Sequence, residues 1–129
     1  MLLSSMKGQT MKNKMKGFID SGEVYVDGKF INPKYSLDVI NHSPTGFSWG
    51  YGGSGPAQLA LAILLEFADR ETAVNLYQTF KWEVIANIPQ EDFEAELDVR
   101  AWISGKQKEH PEELQKILPG GNSYGKNES

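Results

Sequence analysis

The chain has 129 residues, 17 acidic side chains against 13 lysines and arginines, a formal charge of −4 and no cysteine. That length suits one domain, and the mild acidity argues against nucleic acid as a partner, since phosphate contacts demand a basic face. The absent cysteines exclude disulfides, thiolate chemistry and cysteine-held metals, and the longest apolar run, Leu59 to Leu65, is far short of the about 20 residues needed to cross a membrane.

Residues 1–16 carry Lys7, Lys12, Lys14 and Lys16 and no acid. Their methionines follow no apolar period, so the composition predicts a basic, disordered extension. Glu23-Val24-Tyr25-Val26 alternates, Asp27-Gly28 follows, and Lys29-Phe30-Ile31 resumes. Asp-Gly between two β-prone runs predicts a hairpin, because a type I′ turn needs positive φ at both central residues. Asn32-Pro33 breaks the second strand, and Ser36 to Ile40 reads as a third.

Asn41 to Gly55 form a long loop. Pro56 suits the first turn of a helix expected over 57–68, where a missing N–H costs nothing. That helix is apolar nearly all round, which makes it the buried centre of the core. Asp69 is placed to cap a second helix over 70–87, with Ala73, Tyr77, Phe80, Val84 and Ile88 at helical spacing and Pro89 as its stop. Phe93, Ala95 and Leu97 alternate with Glu94 and Glu96, a half-buried strand. Asp98 then caps a short helix that Gly105 closes. Pro111 to Leu118 reads as a loosely attached helix, and Gly120 to Ser129 as disordered. The expected organisation is an extension (1–16), one α+β domain (17–104) and a polar, partly helical or disordered tail (105–129). In that domain a small antiparallel sheet packs on the central apolar helix and on a second, amphipathic one.

The chemistry concentrates in the loop. Positions 46–55 hold five glycines, interleaved with Phe47, Trp49 and Tyr51, and run into a helix start. Glycines let backbone N–H groups approach a ligand closely. The first N–H groups of a helix lack internal partners and carry the positive end of its dipole. Together they make a candidate anion site.

Named motifs do not fit it. A Walker A loop needs Gly-Lys-Ser/Thr, and Pro56 follows Gly55. Gly50 to Gly55 spell Gly-x-Gly-x-x-Gly, but a polar loop precedes them where a dinucleotide fold has a buried strand. Pro56 also denies Ser54 a nucleophile elbow. His42 is a candidate polar contact, acid or base, or a structural hydrogen bonder. Ser43, Thr45, Ser48 and Ser54 read as turn and cap residues. No catalytic residue, metal or cofactor is expected.

A helix dipole contributes only about 0.3–1 kcal/mol to holding an anion, whereas micromolar binding needs about 8 kcal/mol. Stacking on an aromatic ring adds about 1–3 kcal/mol per base. A cation would help, and with neither arginine in the loop, Lys29, Lys34 or a residue of a second copy of the chain, as a homo-oligomer, would have to supply it. The ligand set so defined is His42, Trp49, Tyr51, Gly52, Gly53, Ser54 and Gly55, for a phosphate-bearing, nucleotide-like small molecule. The plainer alternative has the glycines wrapping the loop over the core with Phe47 and Trp49 tucked inside. In a third reading the loop aromatics or the acidic stretch 91–98 bind a protein.

The block Asn41-His42-Ser43-Pro44-Thr45-Gly46-Phe47-Ser48-Trp49-Gly50-Tyr51-Gly52-Gly53-Ser54-Gly55-Pro56-Ala57-Gln58-Leu59-Ala60-Leu61-Ala62-Ile63-Leu64 resembles a small domain family of unknown function found in phages, plasmids and bacteria. Val26-Asp27-Gly28, Leu76 to Lys81, Val84-Ile85-Ala86 and Asp98 to Trp102 extend the likeness over about residues 17–103. The resemblance implies a phage or mobile-element accessory protein in the cytoplasm of a bacterial host, and it carries over no catalytic residue. A non-catalytic binder that sequesters a nucleotide signal of host defence is the leading expectation. An inhibitor that binds a host protein is the second.

Overall fold

The computed structural model describes residues 11–109. Strands β1 (Asn13–Phe18), β2 (Glu23–Val26) and β3 (Lys29–Phe30) come first, then helices α1 (Pro33–Val39), α2 (Ser54–Phe67) and α3 (Arg70–Glu83). A 3₁₀ turn (Ile85–Asn87), strand β4 (Phe93–Leu97) and helix α4 (Val99–Glu109) follow. The sheet is antiparallel throughout, in the order β3-β2-β1-β4. This is the α+β arrangement expected.

Asp27 (φ 53°) and Gly28 (φ 81°) both take positive φ, as a type I′ turn requires. β1 corrects the expected extension, because residues 13–16 are its first four residues. Met15 is buried against the core while Lys14 and Lys16 point outward, a period of two. Gly17 faces inward too, and a Cβ there would fall 2.3 Å from the Phe93 ring and 2.9 Å from that of Trp49.

The segment expected as a third strand is helix α1. Pro33 occupies its first turn and the Asn32 side chain accepts the Lys34 N–H at 3.0 Å, so Asn-Pro starts a helix as well as ending a strand. α2 is buried from Gly55 through Leu64, as its all-round apolarity implies. Asp69 caps α3 by accepting the Thr72 N–H at 2.8 Å. α3 ends at Glu83 rather than 87, because Val84 leaves helical geometry (φ −120°, ψ −61°) before the 3₁₀ turn. α4 runs through Gly105 to Glu109, since nothing near Gly105 opposes a helix. His110, Pro111–Leu118, Gly120–Ser129 and residues 1–10 lie outside the described residues.

Met15, Val24, Val26 and Phe93 on the inner sheet face join Leu59, Leu61, Ile63, Leu64, Phe80, Ile85, Val99 and Ile103 in one core. Each such side chain contributes about 1.5–3 kcal/mol by leaving water. α2 and α3, joined by Ala68 and Asp69 alone, pack antiparallel. The start of α2 therefore lies beside the end of α3, and that juxtaposition places the loop.

Candidate functional site

The loop enters the core at two anchors. Gln58, fully buried on α2, uses its complete hydrogen-bonding capacity. Its Oε1 accepts from the N–H of His42 (2.7 Å) and Ser43 (3.1 Å), and its Nε2 donates to Ser36 Oγ (2.9 Å) and the Ile40 carbonyl (3.0 Å). At the second anchor the Gly50 N–H donates to the Ile85 carbonyl at 3.1 Å. Gly50 has φ 91°, and a Cβ there would meet Gln90 Cγ at 2.3 Å, so only glycine fits without displacement.

The structure divides the expected ligand set. Trp49 belongs to the core: it is 0 % exposed, its Nε1 donates to the Glu91 carbonyl at 2.9 Å and its ring meets Phe93 edge-on. With both faces covered by protein it offers no surface to a base, so the plainer reading holds for Trp49 and for buried Phe47. The His42 Nε2 shares a 2.5 Å hydrogen bond with the hydroxyl of buried Tyr77. The backbone N–H of His42 is held by Gln58, so residue and ring are fixed near the α2–α3 contact.

Tyr51 is 44 % exposed. Its ring lies against Gly53, where a Cβ would come within 2.5 Å of Cε2, and its hydroxyl reaches toward Gly55. Gly53 is the N-cap of α2 and supplies no side-chain acceptor, and the first turn of α2 carries no acid. The Gly53 carbonyl takes the Ala57 N–H at 3.1 Å, but no acceptor among the described residues takes the N–H of Gly52, Gly53, Ser54 or Gly55. The same end of α3 is neutralised by Asp69 and Glu71.

Two residues absent from the expected set border the glycines. Lys81, in the last turn of α3, is only 7 % exposed, and its Nζ donates to the Gly52 carbonyl at 3.0 Å. No carboxylate lies within ion-pair distance of it among the described residues. Trp82, 59 % exposed, sets its ring edge against Gly52. Lys81 Nζ stands 4.2 Å from the centroid of that ring. The signal for Lys81 was present, since it is the sole basic residue between Arg70 and Arg100 in an acid-rich stretch. Nothing local, however, linked it to a loop 29 residues earlier. Lys29 is committed elsewhere: it pairs with Glu66 at 2.8 Å, near the opposite end of α2, and that carboxylate raises its pKa. Lys34 is exposed on α1.

Beyond Trp82, Glu83 receives Lys106 Nζ at 2.7 Å and Trp102 Nε1 at 3.1 Å, which ties α4 to the end of α3. The Lys106 hydrogen bond is the main reason the Glu83 carboxyl sits below its ordinary range.

A family model described as "Family of unknown function (DUF6166)" matches residues 13–105. That span begins at β1 and takes in the whole loop and most of α4. No curated protein and no solved structure matches the chain.

Proposed function

The chain belongs to the DUF6166 family, and from its own residues we propose that it is a binding module for a phosphate-bearing, nucleotide-like small molecule. The observation that carries this reading is the row of amides at Gly53, Ser54 and Gly55 that no acceptor among the described residues takes, at a helix start with neither a capping side chain nor an acid. The first N–H groups of a helix have no partner within it and carry the positive end of its dipole, and an anion engages several at once. Tyr51 borders the cradle, His42 is held by Gln58 and Tyr77, and Trp49 serves as scaffold. The setting proposed is a phage or mobile-element accessory protein that takes up a nucleotide signal in the host cytoplasm, and it rests on the resemblance of the Asn41–Leu64 block.

Calorimetry against nucleotides and cyclic dinucleotides tests the reading, with Ser54→Pro as the diagnostic variant. Proline is tolerated at the first position of a helix and deletes one amide of the cradle. Ser54→Ala keeps that amide. Loss of binding in the proline variant alone, with both variants folded, supports the reading. No ligand binding tighter than about 100 µM, roughly 5.5 kcal/mol, overturns it.

A protein partner is the second reading, favoured by the exposure of Trp82 and Tyr51 and by the exposed acids Glu91, Asp92, Glu94 and Glu96. Capture from host lysate separates the two: a stoichiometric protein supports the second, a small molecule released by heat the first.

A further inference from the structure

The open face of an antiparallel sheet ordinarily carries polar side chains. Alternation along β1 and β2 turns Met15, Val24 and Val26 inward, so Lys14, Lys16, Phe18, Glu23 and Tyr25 face out. Phe30 pairs directly with Tyr25 and joins them. Three aromatic rings thereby form a row on the outer face. Phe18 meets Tyr25 edge-on with 6.1 Å between centroids, and Tyr25 meets Phe30 at 5.6 Å. Phe18 is 37 % exposed and Phe30 45 %. A contiguous aromatic patch held in water marks a surface that something binds. We propose that this face binds single-stranded nucleic acid: the rings stack on its bases, and the lysines of β1 hold its phosphates. The face shares no residue with the loop site and does not depend on it.

The lysines select the occupant. β1 sets Lys14 and Lys16 beside the rings, with exposed Lys12 just before them. Lys16 Nζ lies 5.6 Å from the Phe18 centroid. Neither the Lys12 nor the Lys14 ammonium has a partner among the described residues. Between Lys14, Lys16 and the Tyr25 ring lies a depression of about 250 Å³, bordered by Gly28. A cavity of about 150 Å³ already admits benzene, so one planar ring fits. The formal charge of −4 sums the whole chain, whereas a phosphate responds to the groups around it. Glu94 and Glu96 stand opposite Lys16 and Lys14 on β4, on the side of β1 away from the rings. Lys16 and Glu94 are 3.5 Å apart and both exposed, and such a pair contributes little, so a phosphate competes for the lysine. Glu23 accepts the Tyr25 hydroxyl at 3.3 Å, which orients the central ring. A duplex buries its base faces in the stack, so exposed rings favour a single strand. Rings and ammonium groups engage base faces and phosphates, which DNA and RNA share, so both are expected to bind.

Fluorescence anisotropy of labelled oligo(dT) and oligo(U), each of about 12 nucleotides, tests this on the full chain, with a duplex of the same length for comparison. Both single strands should bind more tightly than the duplex. With three phosphates neutralised, affinity should fall about 20-fold between about 50 and 200 mM salt. Tyr25→Leu and Phe30→Leu keep apolar volume but remove a ring, and each should weaken binding about 5- to 150-fold, the range that one stacked base supplies. Lys14→Gln should weaken binding and make it less sensitive to salt. Glu94→Gln and Glu96→Gln should tighten it, the opposite of what a basic partner would show. Thermal melts establish that each variant is folded. Ser54→Pro should leave strand binding unchanged, so failure here and failure of the loop reading are separate results. No single-strand binding tighter than about 100 µM overturns the proposal, as does binding that survives both ring variants or weakens in Glu94→Gln. If neither strand binds and the ring variants abolish capture of a host protein, the face is a protein interface and the proposal is equally overturned.

Discussion

Gln58 Oε1 accepts the backbone N–H of His42 at 2.7 Å and so fixes the start of a long loop to the second turn of the buried helix that the loop precedes. The amide is fully satisfied, with four hydrogen bonds to three segments of chain. Gln58→Leu keeps the apolar volume but strands the N–H groups of His42 and Ser43 and the carbonyl of Ile40. At about 1–3 kcal/mol for each buried group left unpaired, the variant should lose about 3 kcal/mol or more. Urea unfolding measures this. A loss below about 1 kcal/mol would mean that water replaces the amide without penalty.

Glycine positions should separate by sign. Gly50→Ala meets both a φ of 91° and a 2.3 Å approach to Gln90, and it should cost about 1–3 kcal/mol. Gly105→Ala lies within α4 with open space around it and should stabilise by about 0.5–1 kcal/mol. Paired denaturation curves decide this, and two shifts in the same direction would contradict it.

Trp49→Phe should lower stability by about 1–3 kcal/mol, because it leaves the Glu91 carbonyl unpaired and opens space beside Phe93. Ligand affinity should stay within about twofold if the loop keeps its path. An affinity collapse in a folded Trp49→Phe protein would return Trp49 to the binding site.

Stability should fall in acid. The Thr72 hydrogen bonds hold the Asp69 carboxyl below its usual range, the Lys14 N–H does so for Asp27, and Lys106 does so for Glu83. A carboxyl with a lower pKa folded than unfolded stabilises fully above its unfolded value, about 4, and loses that contribution as pH drops through its folded value. Denaturation midpoints should be level above about pH 5 and decline below about pH 4. Asp69→Asn should flatten part of that decline.

Much of the architecture was legible in the order of residues because its signals are local. Asp27-Gly28 demands its turn through backbone sterics, Asp69 caps its helix across three residues, and the buried stretch Leu59 to Leu64 of α2 follows from unbroken apolarity. β1 and α1 were misread for a related reason. Met15 counts as a core residue only once β2 and β4 flank it, and Asn32-Pro33 ends one element and begins the next with the same atoms.

The loop itself was visible as five glycines with aromatics, and the helix start behind it as a place for an anion. Which ring faces solvent was not visible, since Trp49 and Trp82 differ only in what folds against them. Nor could chain order bring Lys81 to Gly52. That contact exists because α2 and α3 pack antiparallel, so that the end of one helix meets the beginning of the other. Backbone preferences act between near neighbours and can be read along the chain. Charge balance and exposure depend on groups far apart in it, and only packing brings those together.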